Sequence, residues 1–309
     1  MLRRLPSTLL GPLALFLMFF NTLFTVIPLY IVTFFKLIIP LPAWRHFCTQ
    51  ILVHLAENWI AINNAIFHHT QHTQWDIRGL ENLAHDDWYL VNANHQTWLD
   101  IFVLQRVFNR HIPFLKFFTK QELIWFPLLG PAWWALDFPF MKRYSKEKLA
   151  QNPELRGKDL ETTRKMCERF KDDPVAIINF LEGTRFTPAK HDQQQSPYLN
   201  LLKPKAGGIA FVLAAMNQKI KTLLNVTIVY PDGFANFWQF LSGKTPRVIV
   251  HIEKLAIPAN FLRGDYSNDP SYREQFQAWV RDLWEQKDAL IDCLMEEAHF
   301  QSATAPVEM

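Results

Sequence analysis

Cysteine is scarce in this chain: Cys48, Cys167 and Cys293 are the only three in 309 residues, far apart and with no C-x-x-C pair. An odd, scattered set supplies neither a disulfide framework nor a thiolate metal site. The sequence therefore predicts a reducing compartment, with the thiols packed as small buried hydrophobes. Charge of one sign is also scarce. A net charge of +3, a pI near 8.7 and the lack of any long Lys/Arg block exclude a dedicated nucleic-acid binder and suit an anionic membrane surface better. No serine or cysteine with a paired base stands out, so no covalent nucleophile is expected. His68, His69 and His72 cluster at what reads as a helix end, without a cysteine or carboxylate beside them, and predict no metal. No internal repeat is visible.

With 49% hydrophobic and 14% aromatic residues, the chain has enough apolar material for one large domain or two small ones. Much of that material is at the amino terminus. From Leu9 to Ile39 the only charge is Lys36, a run far too long for a signal-peptide core. About 31 helical residues at roughly 1.5 Å each would span about 46 Å, more than one hydrocarbon core of about 30 Å and less than two. Gly11-Pro12, Asn21 and Pro28 are places where it can bend. Arg3 and Arg4 on one flank and Lys36 and Arg45 on the other favour sending neither end outward. The expectation is a re-entrant or shallow hairpin within residues 1–42 with both ends cytoplasmic, a single tilted span being the alternative.

Residues 43–73 then read as a linking, interfacial helix, with Phe47, Ile51, Leu55, Trp59, Ile62 and Ile66 at helical spacing. Strand candidates follow at Gln74 to Gly79, Trp88 to Ala93, Ala176 to Leu181, Leu224 to Tyr230 and Arg247 to Glu253. They alternate with helical stretches near 98–108, 119–126, 156–171 and 204–217, a pattern that argues for a layered α/β sheet. A last amphipathic helix is expected from Tyr272 to His299, with Phe276, Trp279, Leu283, Leu290 and Leu294 on one stripe.

The most informative stretch is Asn94-His95-Gln96-Thr97-Trp98-Leu99-Asp100, at the join between an apolar strand and a helix. Five residues on a helix rotate side chains by roughly 140°, so His95 and Asp100 meet only if His95 precedes the helix and Asp100 lies in its first turn. His95 is then a general base, and Asp100 fixes its tautomer and stabilises the imidazolium. The T-x-x-D pattern is satisfied as well by Thr97 as an N-cap with Asp100 as its capping-box partner. Farther on, Asn179-Phe180-Leu181-Glu182-Gly183-Thr184-Arg185 again ends an apolar strand in a charged turn. Gly183 permits a positive-φ backbone, and Arg185 offers a planar fork for phosphate. Glu182 either holds that arginine as an ion pair or binds a substrate hydroxyl. Lys203-Pro204-Lys205-Ala206-Gly207-Gly208 opens a helix whose N–H groups could attract an anion, a weak signal alone. Lys142 to Lys148, after an aromatic surface, presents a basic group suited to an anionic headgroup.

Asn94-His95-x-x-x-x-Asp100, then Arg143, then Glu182-Gly183-Thr184-Arg185 resembles the ordered block set of the glycerolipid acyltransferases, the lysophosphatidic acid acyltransferase (PlsC-like) family. The resemblance covers roughly residues 75 to 255. It implies a membrane-anchored layered α/β acyltransferase domain over 74–260, with 261–309 as a carboxy-terminal helix and tail. It implies His95 as the base that deprotonates an acceptor hydroxyl, Asp100 as its orienter, Arg143 and Arg185 on the phosphate of a lysophospholipid, and Glu182, Gly183 and Thr184 framing the acceptor pocket. The substrates implied are acyl-CoA or acyl carrier protein as donor and a lysophospholipid as acceptor, most directly 1-acyl-glycerol-3-phosphate, with no cofactor and no metal. The implied location is a bacterial inner membrane with the catalytic domain facing the cytoplasm. Leu181 stands where the family commonly has proline, the second block lacks its usual glycine, and Leu224-Asn225-Val226 replaces a proline-centred fourth block. These departures also occur in a branch that includes the eukaryotic lysocardiolipin-type enzymes, so a lysocardiolipin- or lysophosphatidylglycerol-type acceptor is the alternative. A lipid hydrolase, or a non-catalytic lipid-binding scaffold, is the rival reading.

Overall fold

The computed structural model describes residues 2, 5–141, 173–233 and 236–304. Arg143, the basic run 142–148, Cys167 and the helix expected over 156–171 lie outside them. The amino-terminal apolar run forms one 32-residue helix, α1 (Ser7–Ile38), which contains Pro12 and Pro28 without ending there. Extended backbone at Ile39 closes it, and Pro42 opens α2 (Pro42–Thr70) at a position where its missing N–H costs nothing. Trp44 donates to the Phe35 carbonyl at 3.1 Å, Trp59 to the Thr22 hydroxyl at 3.0 Å and Asn21 to Asn63 at 2.9 Å, so the two helices run antiparallel. The hairpin therefore has its bend at residues 39–41, and its second arm is α2 rather than a part of the apolar run itself. Asn21 is a buried pin rather than a bend, because α2 supplies the amide's partners.

One face of α1 is packed along its whole length. Ala14 and Met18 enter the core beneath the main sheet, and a side chain on Gly11 would lie 2.7 Å from Ser242 Oγ, so close approach requires glycine there. Val26 and Leu29 pack on α4 (Leu129–Ala135), and Lys36 pairs with Asp137 at 3.1 Å. The opposite face leaves Phe16, Phe19, Phe20, Phe24, Ile27, Ile31, Phe34 and Ile38 exposed. By length and composition α1 is the one candidate membrane span among the described residues.

The main sheet has six strands in the order β1 (Gln74–Arg78), β8 (Arg247–Ala256), β7 (Thr222–Val229), β2 (Tyr89–Ala93), β6 (Ala176–Phe180) and β3 (Leu115–Phe117). Neighbours are parallel except β7 with β8. Every residue of β2 is buried, as a central strand covered on both faces requires. Tyr89, Val91 and Ala93 face a core shared with α3 (Leu99–Phe108), α1 and α2. Leu90 faces the second core, built by α6 (Gly207–Ala215) and α8 (Pro270–Thr304). Phe276, Leu283 and Leu294 of the expected stripe are buried there, with Trp279 and Leu290 packed at its margin.

Several expectations shift. Residues 119–126 are not an α-helix: Thr119–Lys120 (β4) pairs with Phe140–Met141 (β5), and Gln121–Trp125 is a 3₁₀ turn ended before Pro127, whose ring disfavours helical backbone at Phe126. Short elements too brief for periodicity to reveal were missed: β3, α5 (Pro188–Gln194), capped by Thr187, and α7 (Phe237–Leu241), opened by an Asn236–Gln239 capping box. Cys48 is buried as expected, but Cys293 is exposed on α8.

Candidate active site

Register decides which turns meet. Ala93 of β2 pairs with Phe180 of β6, so Asn94-His95 and Leu181-Glu182 leave the sheet side by side. Buried Asn94 fixes the exit of the first turn: its amide donates to the Ile228 carbonyl at 2.9 Å, and its oxygen accepts the Ile228 N–H at 2.8 Å. The helix starts at Leu99, which places Asp100 in the first turn and His95 before it. His95 Nδ1 and Asp100 Oδ2 are 2.8 Å apart.

The capping and orienting readings merge in one carboxylate. Asp100 Oδ2 also accepts the N–H groups of Gln96 at 2.6 Å and Thr97 at 2.9 Å, the capping-box half that the T-x-x-D pattern foresees. The Thr97 hydroxyl accepts from Leu99 N–H at 3.3 Å rather than from Asp100, so the box is incomplete. Oδ1 accepts the Tyr230 hydroxyl at 2.7 Å. Burial and the neighbouring carboxylate hold that phenol well above its ordinary range, so it stays a donor. With donors already around Asp100, the imidazole nitrogen facing it donates too. Nε2 of a neutral His95 then keeps its lone pair, which is what a general base needs. The Asp100 side chain is fully buried while that of His95 is 14% exposed, so only the base has access to solvent.

The second turn holds the first. His95 N–H donates to Glu182 Oε1 at 2.8 Å, His95 C=O accepts Phe186 N–H at 2.7 Å, and the imidazole stacks on Phe180 with centroids 3.9 Å apart. Three groups of one residue are thus set by Phe180 to Phe186, which explains physically why the two sequence blocks occur together. Glu182 itself is completely buried, and its other oxygen accepts Leu202 N–H at 3.1 Å. Burial pushes its carboxyl up to about 8. This corrects two readings. Glu182 forms no ion pair with Arg185 and does not face a substrate hydroxyl, because both oxygens are engaged beneath the turn by backbone N–H groups.

Gly183 has φ +68°, the left-handed region that glycine enters freely, and Lys205 packs against it. Thr184 accepts from the Lys190 ammonium at 2.8 Å, and Arg185 is exposed with its guanidinium 5.2 Å over the Trp98 ring. Arg185 is thus held against the His95–Asp100 turn, to which Trp98 belongs. His68 and His69 are exposed and in ring contact at 5.1 Å, and no metal-binding group of three His, Cys, Asp or Glu forms among the described residues.

Against known proteins, the acyltransferase family matches residues 74–231, more than half of the chain. The chain belongs to the acyltransferase family. Among its relatives is an Arabidopsis thaliana protein named probable 1-acyl-sn-glycerol-3-phosphate acyltransferase 5, 24% identical over 79% of this chain and 63% of its own length. Human 1-acyl-sn-glycerol-3-phosphate acyltransferase gamma is 24% identical over 60% of this chain and 47% of its own length. The 2-acyl-1-lysophosphatidylinositol acyltransferase of Saccharomyces cerevisiae is 24% identical over 68% and 62%. The chain thus spans between about half and just under two thirds of these relatives. The crystal structure of the 1-acyl-sn-glycerophosphate (LPA) acyltransferase PlsC from Thermotoga maritima superposes with a TM-score of 0.52 at 18% identity, over 91% of this chain and 98% of that one. This shows a shared fold, the PlsC-like α/β architecture that the motif resemblance implies. His95, Asp100 and the Glu182–Arg185 turn all lie within the matched acyltransferase region.

The residues that sequence reasoning missed are Tyr230, Phe180 and four residues of α8 described below. Tyr230 ends an apolar run, and only the placement of β7 beside β2 brings it to Asp100.

Proposed function

We propose that this acyltransferase moves a fatty acyl group from a thioester, acyl-CoA or acyl carrier protein, to the free hydroxyl of a lysophospholipid, most directly 1-acyl-glycerol-3-phosphate. The observation that carries the proposal is the His95–Asp100 pair, with one imidazole nitrogen locked by a buried carboxylate and the other left to accept a proton. The acceptor hydroxyl gives its proton to His95 Nε2 as its oxygen attacks the thioester carbonyl. The new C–O bond forms, the C–S bond breaks, and the proton passes from the imidazolium to the departing thiolate. A positioned base contributes about 10²- to 10⁴-fold, and holding both lipids in place supplies much of the rest. Arg185, beside the His95 turn, and Arg143 bind the phosphate of the acceptor, while Gly183 and Thr184 frame the site and Glu182 supports it from beneath. The exposed aromatic face of α1 lies in the membrane where both lipids reside.

A second acceptor has a specific observation behind it. The Saccharomyces cerevisiae relative is named for lysophosphatidylinositol, as similar to this chain as those named for 1-acyl-sn-glycerol-3-phosphate. The test gives membranes carrying the protein, or its His95→Ala variant, labelled acyl-CoA and a panel of lysophospholipids. A product that disappears with His95→Ala identifies the acceptor. Variant activity near wild type would reject His95 as the base, and label released as free fatty acid without an acceptor would favour a hydrolase.

A further inference from the structure

The carboxy-terminal helix α8 (Pro270–Thr304) lies outside the matched acyltransferase region, yet it meets the candidate site through side chains on successive turns. Trp284, fully buried, donates its indole N–H to the Leu202 carbonyl at 2.9 Å. Leu202 N–H is one of the two donors to the Glu182 carboxyl, whose other oxygen accepts His95 N–H. An unbroken series of hydrogen bonds therefore runs from α8 through Leu202 and Glu182 to the backbone of His95. Asp288, one helical turn beyond Trp284, accepts the N–H groups of Leu199 at 2.7 Å and Asn200 at 2.8 Å, and Asp292 accepts from the Asn200 amide at 2.8 Å. These bonds hold the loop that carries Leu202 at its end.

A second arm reaches the same turn from the sheet. Lys287, buried beside Trp284, donates to the Val226 carbonyl at 2.5 Å and the Thr227 hydroxyl at 3.1 Å on β7. The next residue, Ile228, is the one that grips Asn94 through both backbone groups. Both arms converge on Asn94-His95. A helix needed only for core burial has no reason to place an indole N–H, an amine and a carboxylate on three such loop and strand groups, because apolar side chains would fill the same space without desolvating polar atoms.

We infer that Trp284 and Asp288 are positioning residues for the acyl transfer, holding the Leu199–Leu202 loop so that Glu182 keeps His95 aligned with its substrate. This rests on the reading of His95 as the base. It concerns residues that touch neither substrate nor any reacting atom and act through Leu202 and Glu182. Small misplacement of a base lowers turnover steeply while leaving substrate binding in place, so the signature is a fall in kcat without a rise in KM.

The test uses the full chain in membranes, with Trp284→Phe, which keeps a ring and removes the N–H, and Asp288→Ala, which removes two acceptors without opening the core. Leu294→Ala on the same helix is the control for destabilisation alone, since Leu294 is buried and its side chain makes no hydrogen bond to the loop. The expected result is a fall in kcat of about 10-fold for Trp284→Phe and about 5-fold for Asp288→Ala, with KM within about 2-fold of wild type, and near-normal kcat for Leu294→Ala despite an equal or larger loss of melting temperature. Wild-type kcat in both site-facing variants, or losses that track melting temperature equally in all three, would overturn the inference. Wild-type activity in His95→Ala, measured alongside, would instead overturn the assignment of the base, which keeps the two failures apart.

Discussion

The turns after β2 and β6 share one recipe, an apolar strand ending in a turn that carries a carboxylate, yet the two carboxylates do different work. Asp100 holds a side chain: one oxygen fixes the His95 ring, and the surrounding donors come from its own turn and Tyr230. Glu182 holds backbone: its oxygens join His95 N–H to Leu202 N–H and reach no ring and no arginine. A charged residue at a strand end is therefore not a site residue by type alone. What packs beyond it decides, a phenol and a helix start in one case and a loop braced by α8 in the other.

The contrast is broken most sharply at Asp100. Asp100→Asn preserves shape but removes the charge that stabilises the imidazolium and fixes the ring tautomer, so kcat should fall by about 10² to 10⁴ with a melting temperature within a few degrees of wild type. Retained turnover with a clear loss of stability would leave Asp100 as a helix cap only. Glu182→Gln is the milder counterpart. Glutamine has one acceptor oxygen where two N–H donors converge, so one of the His95 and Leu202 bonds is lost. The expected result is a drop in kcat of about 10-fold together with a lower melting temperature, since leaving a buried donor unpaired costs about 1–3 kcal/mol. A Glu182→Gln enzyme as impaired as Asp100→Asn, at full stability, would show that Glu182 enters the chemistry directly and that the two turns do not differ as described.

Much of this site is legible in the sequence, and the part that is not has a physical reason. The five-residue spacing of His95 and Asp100 demands a base before the helix and an acid in its first turn, and that is the arrangement found. Local rules suffice there because both residues belong to one turn. The strands were visible for the same reason: β1, β2 and β6 each begin and end within a residue or so of their apolar runs. The roles of Glu182, Tyr230 and Trp284 were not legible. Each depends on a contact between segments distant in sequence, and the charge pattern alone left a local Glu182–Arg185 pair and a substrate contact equally open. Arg185 instead lies over Trp98, where a half-exposed indole supplies a face that neither the strand pattern nor the charge pattern announces. The amino-terminal hairpin shows the same limit. Its apolar length was readable, but its bend is set by Pro42 and by the pairing of Asn21 with Asn63 across two helices.

The smallest predicted effect concerns what makes the surroundings of Glu182 unlike those of Asp100. Lys287 is buried against β7, and burial pushes its ammonium down to about 7, from an ordinary value of 10.5. Between those two values the unfolded chain binds a proton that the folded chain does not, so this group adds stability as pH rises from about 7 and loses it as pH falls back. Glu182, raised from 4.5 to about 8, has the opposite slope at lower pH, and the Lys287 charge is the smallest of the influences on it, so most of its slope is common to wild type and Lys287→Met. Methionine fills similar volume without a titrating group. Melting temperatures measured at pH 7, 8 and 9 should therefore shift in favour of wild type relative to Lys287→Met as pH rises, by about 2 °C or more across the range. A difference that stays flat would mean the amine is charged in the folded protein, paired through the interior with Glu182 or Glu253. The two carboxylate turns would then be alike in holding a cation, one on His95 during turnover and the other on Lys287 at rest.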